Sequence, residues 1–193
     1  MRKLTFIALL LLNVSFAFAQ KADSTASAKV KTKNIDGTVM TSAKDIVDNI
    51  SLSPEFTKLV GSLKAADLTD NFKSGTITFF APTNAAFDKL APGILDTLLL
   101  PAHKADLVNL LNYHAVSGKI TSKDLERQIK AGNGQTTLTT ISGGTLTARI
   151  NENRNIVLTD ENGGQSIITR LDIEQSNGML FIVNAVLLPK TKQ

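Results

Sequence analysis

The 193-residue chain has no cysteine and no tryptophan, one tyrosine and two histidines, and only 5% of it is aromatic. Without cysteine there is no disulfide framework, no thiolate nucleophile, no Cys-ligated zinc or iron–sulfur cluster, and no lipidated cysteine anchor. Two histidines are too few for a His-rich metal site, and any Ser-His-acid triad has to use His103 or His114. With 12 Gly and 5 Pro, collagen-like and Pro/Gly low-complexity architectures are also excluded. The composition is 42% hydrophobic and 20% charged, which is that of an ordinary globular domain.

Apolar runs are scarce except at the N-terminus, where Arg2 and Lys3 precede a stretch from Leu4 to Phe18 that ends in Ala17-Phe18-Ala19. Asn13 and Ser15 interrupt this run, and it is shorter than the roughly 20 apolar residues that span a bilayer. It reads as an export signal over residues 1–19, cleaved before Gln20. The expected product is extracellular or periplasmic, with no stable membrane insertion after cleavage. Loss of Arg2 and Lys3 takes the formal net charge from +4 toward neutrality. A nucleic-acid partner, which calls for a concentrated basic stripe, is therefore not expected.

Residues 20–41 are rich in Ser, Thr, Ala and Lys and poor in large apolar side chains, so they are expected to form a flexible, solvated tether. Residues 42–189 read as one domain and 190–193 as a short tail. Ile46, Val47 and Ile50 share a helical face. Ser53 before Pro54 is a helix start, followed by the stripe Phe56, Leu59, Val60 and Leu63. A strand over Thr76–Ala81 stops at Pro82, and Thr83 caps the next helix. Helical spacing continues through Ile94–Leu100 and through Leu107, Leu110, Leu111 and His114. A short strand is expected over Val116–Thr121.

After Gly132 the pattern changes to β-rich runs at Thr136–Ile141, Thr145–Ile150, Ile156–Thr159 and Ser166–Ile173. Gly143-Gly144, Asn162-Gly163 and Asn177-Gly178 supply the tight turns. Met179–Leu188 is apolar except for Asn184 and is expected to be a central strand buried on both faces. Helices followed by a strand meander define an α+β fold, a β-wedge or sandwich with an N-terminal helical layer.

Catalytic signatures are absent from this pattern. Gly132-Asn133-Gly134 lacks the third glycine of a dinucleotide loop, and Ser117-Gly118-Lys119 lacks the upstream glycine of a phosphate loop; both read as turns. Asp160-Glu161-Asn162 with Gly163-Gly164 offers oxygen ligands without the alternating acids of a calcium loop, and reads as a hairpin turn. Asp124 and Glu126 beside Lys123 and Arg127 read as a solvated helix face. Spacing alone selects no carboxylate pair for hydrolysis. Tyr113-His114, at the end of a buried stripe, is either a buried structural pair or a contact surface for a partner.

Three stretches together resemble the fasciclin domain. Thr78–Phe87 (TFFAPTNAAF) is similar to that family's strand and capped helix. Leu110–Lys119 (LLNYHAVSGK) resembles its tyrosine-histidine motif, and Asn177–Pro189 (NGMLFIVNAVLLP) its closing strand. The resemblance spans about Ser42 to Pro189. It implies a compact α+β module of secreted and surface proteins that acts in cell or matrix adhesion. Together with the missing catalytic set, this gives a non-catalytic module with no metal and no cofactor expected, and a partner that is a cell-surface or matrix protein or polysaccharide. In animal members the tyrosine-histidine region and an Asp-Ile pair before the last strand are implicated in integrin binding. By position these are Tyr113, His114, Asp172 and Ile173 here. The closing strand departs from the pattern, with Phe181 where a His is usual and Asn184 where an Asp is frequent. A soluble extracytoplasmic carrier of a small apolar ligand, held between the helical layer and the wedge, is the alternative function.

Overall fold

The computed structural model describes residues 29–190. The export signal expected over residues 1–19 and the first part of the expected tether lie outside the described residues. From Thr32 onward the tether expectation is corrected. β1 (Thr32–Ile35) and β2 (Thr38–Thr41) form an antiparallel hairpin. Its turn has Asp36 and Gly37 at positive φ, 47° and 90°, as a two-residue hairpin connection requires. Ile35 and Met40 supply what composition did not reveal, since both side chains are 1% exposed and join the core under the helices. Two well-placed apolar anchors order a segment that is otherwise polar.

The helical layer follows. α1 (Ile46–Ile50) starts at Asp45, whose side chain accepts from the Asp48 N–H, and a 3-10 turn at Pro54–Phe56 starts at Ser53. α2 (Thr57–Ala65) continues from it. β3 (Ile77–Pro82) is buried throughout, and α3 (Asn84–Phe87) opens with the Thr83 hydroxyl accepting from the Ala86 N–H. α4 (Ile94–Leu98), a second 3-10 turn at Pro101–His103 and α5 (Lys104–Tyr113) complete the layer. β4 is only Ala115–Ser117. The rest of the strand expected to Thr121 gives way to a turn at Gly118 and to α6 (Ser122–Ala131), opened by a capping box between Thr121 and Asp124.

The remaining strands are β5 (Gln135–Thr139), β6 (Thr145–Ile150), β7 (Ile156–Thr159), β8 (Gln165–Gln175) and β9 (Gly178–Val183). With β3 and β4 they form one seven-stranded sheet in the order β4-β3-β9-β8-β7-β6-β5. A bridge between Val116 and Thr140 brings the two ends of the sheet together. The result is a nearly closed wedge, the α+β architecture expected from the sequence.

β3 and β9 run parallel at its centre, Phe80 opposite Phe181. Their alternation divides two cores. Phe79, Ala81, Leu180 and Ile182 face the helical layer, while Phe80, Met179, Phe181 and Val183 fill the wedge with Leu125 and Ile129 of α6. Burial on both faces explains their largely apolar runs, in which the one polar side chain, Thr78, donates its hydroxyl to the Gly118 carbonyl. Gly178 is required where β9 meets β3, because a Cβ there would lie 1.8 Å from the Ile77 carbonyl oxygen.

The closing strand is shorter than expected, ending at Val183 instead of Leu188. Beyond it, backbone donors leave the ladder for side-chain acceptors: Leu187 N–H bonds His114 and Leu188 N–H bonds Asp160. The apolar residues of this segment belong to an irregular strap along the wedge.

Candidate functional site

Tyr113 and His114 close α5 just before β4, and both are buried, at 0% and 1% exposure. The Tyr113 hydroxyl donates to the Thr145 carbonyl at 2.6 Å and accepts from the Glu161 N–H at 3.1 Å. Burial pushes this phenol up to about 12, so it stays protonated and keeps its donor. His114 donates from Nδ1 to the Leu110 carbonyl at 2.9 Å, and its Nε2 accepts from the Leu187 N–H at 3.0 Å. A carbonyl can only accept and an amide N–H can only donate, so these partners specify the neutral Nδ1–H tautomer. Burial lowers the imidazole to about 4. The two side chains do not bond to each other. Tyr113 ties α5 to β6 and the β7–β8 turn, and His114 ties it to the C-terminal strap.

Asp160, expected from the sequence only as part of a hairpin turn, is a third tie. Its Oδ1 accepts from the N–H groups of Asn162 (2.9 Å) and Gly164 (2.8 Å), and its Oδ2 accepts from Leu188 at 2.9 Å. The acidic loop is thus a hairpin turn organised by its own aspartate. The D-x-x-x-G spacing was its only sequence signal. Among the described residues, no group of three or more His, Cys, Asp or Glu is arranged to hold a metal ion.

The Asp-Ile pair lies elsewhere, on a bulged part of β8 where the register with β9 shifts between Arg170 and Ile173. Asp172 has φ of 53° and is exposed. Its carboxylate accepts from both the N–H (2.7 Å) and the hydroxyl (2.5 Å) of Ser122, at the first turn of α6. Ile173 points the other way and is 1% exposed, packed in the core under the helices. Of the four residues singled out by motif, only Asp172 is at the surface, and the structure does not gather them into one exposed patch.

The surface around Asp172 is a groove of about 470 Å³ lined by Lys31, Thr32, Lys33, Thr121, Lys123 and Glu174, with Met40, Ile173 and Met179 in its floor. It exists because the N-terminal hairpin lies beside β8. Lys31 and Lys119 both pair with the Glu174 carboxylate, at 2.6 and 2.5 Å. These two ammonium groups hold that acid below its usual range. Sequence reasoning missed Lys31, Lys33 and Ser122 here, since nothing local marks residues that meet only through long-range packing.

Fold and site together define a small α+β wedge module whose buried polar side chains act as internal ties and whose polar groove lies at the surface. The chain matches the fasciclin domain over residues 54–189, and it belongs to that family. Protein sll1483 of Synechocystis is 32% identical over 89% of this chain and 91% of its own length. The immunogenic protein MPB70 of Mycobacterium bovis is 29% identical over 72% of this chain and 66% of its own. The transforming growth factor-beta-induced protein ig-h3 of Oryctolagus cuniculus is 29% identical over 75% of this chain, which spans 19% of that longer protein. Among solved structures, a FAS1 domain pair from the insect cell adhesion molecule fasciclin I is similar with a TM-score of 0.65. The identity is 20%, over 75% of this chain and 51% of that one, a likeness of fold. No helix among the described residues is long and apolar enough to cross a membrane.

Proposed function

We propose that this protein is an exported binding module that acts without turnover in adhesion, attaching to a cell-surface or matrix protein or polysaccharide. The observation that carries the reading is the polar groove around Asp172, assembled by the hairpin, α6 and β8. Family membership adds support, since fasciclin domains occur in adhesion-related proteins. Export rests on the N-terminal leader. In this reading Asp172 stands at the contact surface with Ile173 packed beneath it, while Tyr113 and His114 act as internal ties elsewhere in the wedge.

The test is binding of the mature chain, Gln20–Gln193, to an array of glycans and matrix proteins, with Asp172→Asn alongside. Asn keeps an acceptor for Ser122 and tolerates the positive φ, so this variant removes charge without dismantling the bulge. Saturable binding, altered in the variant, is expected, as is loss of attachment in a deletion strain. No binding by folded protein, with attachment unchanged in that strain, overturns the reading.

One observation favours the carrier alternative in a different place. Between the helical layer and the wedge, Phe79 and Leu180 are 0% exposed, and Phe72 meets Phe79 edge-on at 5.0 Å, so side chains occupy that space. A recess of about 710 Å³ opens instead at the surface, lined by Ile94, Leu98, Leu110 and Leu188. Native mass spectrometry of protein from its source organism tests this reading; a co-purifying apolar ligand supports it, and repeated absence of one overturns it.

A further inference from the structure

The groove beside Asp172 has a charge pattern that selects a partner class, an inference that rests on the binding-module reading above. Lys31 and Lys33 reach it from the hairpin and Lys123 from the first turn of α6, and all three are exposed. Its two carboxylates are already engaged, Glu174 by Lys31 and Lys119 and Asp172 by the N–H and hydroxyl of Ser122. Lys33 donates to the uncharged Leu171 carbonyl. Among the described residues, neither Lys33 nor Lys123 takes part in an ion pair. Among the described residues the groove therefore presents two ammonium groups outside any ion pair, with the hydroxyl-bearing Thr32 and Thr121 on its walls.

We propose that this groove binds a stretch of acidic polysaccharide, carboxylated or sulfated, with its anionic groups on Lys33 and Lys123. Sugar rings carry free hydroxyls between their anionic groups, and these fall beside the threonines. A nucleic acid fits less well. Among the described residues no aromatic side chain lines the groove to stack a base, and two ammonium groups beside two carboxylates do not make the concentrated basic stripe a duplex calls for.

Calorimetric titration of the mature chain tests this, with heparin fragments as the sulfated probe, polygalacturonate as the carboxylated one, and dextran and duplex DNA as comparisons. Saturable binding to at least one acidic polysaccharide is expected, weakening with salt, with none to dextran. The pair Lys33→Gln/Lys123→Gln is expected to weaken it about tenfold. The pair Lys64→Gln/Lys130→Gln, which removes the same charge elsewhere on the surface, changes it less than about twofold. Should circular dichroism show the first pair misfolded, Lys123→Gln alone against Lys130→Gln carries the same comparison. Failure to bind either acidic polysaccharide, equal losses in the two sets of variants, or DNA binding as tight as polysaccharide binding overturns the proposal. If dextran or an array protein binds while both acidic polysaccharides do not, this inference falls and the binding-module reading stands. If nothing binds, both fall.

Discussion

Asp172 and Ser122 are 50 residues apart in sequence, yet the carboxylate of one receives both the backbone N–H and the hydroxyl of the other. The bond joins the β8 bulge to the first turn of α6, where N–H groups lack intrahelical partners and a negative charge is favoured by the helix dipole. An exposed residue thereby holds two segments of the candidate site in register.

Asp172→Ala is expected to destabilise the fold by about 1–2 kcal/mol, through loss of this cap and the strain of a positive φ without a polar side chain. Asp172→Asn should stay within about 0.5 kcal/mol of the parent, as the amide still accepts from Ser122. Urea unfolding of both variants checks this; equal stability of Asp172→Ala and the parent would deny the bond a structural role.

At Tyr113 the hydroxyl and the ring contribute separately. Tyr113→Phe should cost about 1–3 kcal/mol, because the Glu161 N–H loses its acceptor and the Thr145 carbonyl its donor. Tyr113→Ala should cost about 3–5 kcal/mol through the cavity left in the wedge core. Thermal melts of the two variants order these effects, and any binding defect in Tyr113→Ala is interpretable only after its fold is verified.

Acid should weaken the fold through His114. Its pKa is about 4 in the folded protein against 6.5 as a free group, so below pH 6.5 the unfolded chain takes up a proton that the folded one refuses. The contribution is complete above the unfolded value and is lost as pH falls through the folded one, at up to roughly 1.4 kcal/mol per pH unit. Urea midpoints at pH 7, 5.5 and 4.5 are expected to decline more steeply in the parent than in His114→Gln. Parallel declines would assign the acid sensitivity to other groups.

The hairpin should be an integral part of the domain. Met40→Ala, at a fully buried position, is expected to cost about 2–5 kcal/mol, and a chain starting at Ser42 should unfold at lower urea concentration than one starting at Gln20. Identical unfolding of the two chains would return this segment to the role of a tether.

Much of the architecture was readable in the residues themselves. Ser53 with Pro54, Thr83 and the Asn177-Gly178 turn announce element ends because capping and tight turns need particular side chains locally. The apolar run of the closing strand announces burial on both faces. The candidate site was read less fully. The tyrosine-histidine and Asp-Ile motifs singled out four residues, but whether each faces solvent or core depends on what packs against it. Three of the four turned inward.

The sequence by itself determined the α+β class, the main helices and strands, and the family, since caps, turns and hydrophobic periodicity act over a few residues and leave a local imprint. Only the tertiary structure decided that Lys31 and Lys33 sit beside β8, that Asp172 caps α6, that Leu187 and Leu188 hang from His114 and Asp160, and that the apolar recess lies on the outside of the helical layer. These are contacts between segments distant in the chain. Each depends on how neighbouring elements close over shared apolar faces, and no run of adjacent residues encodes them.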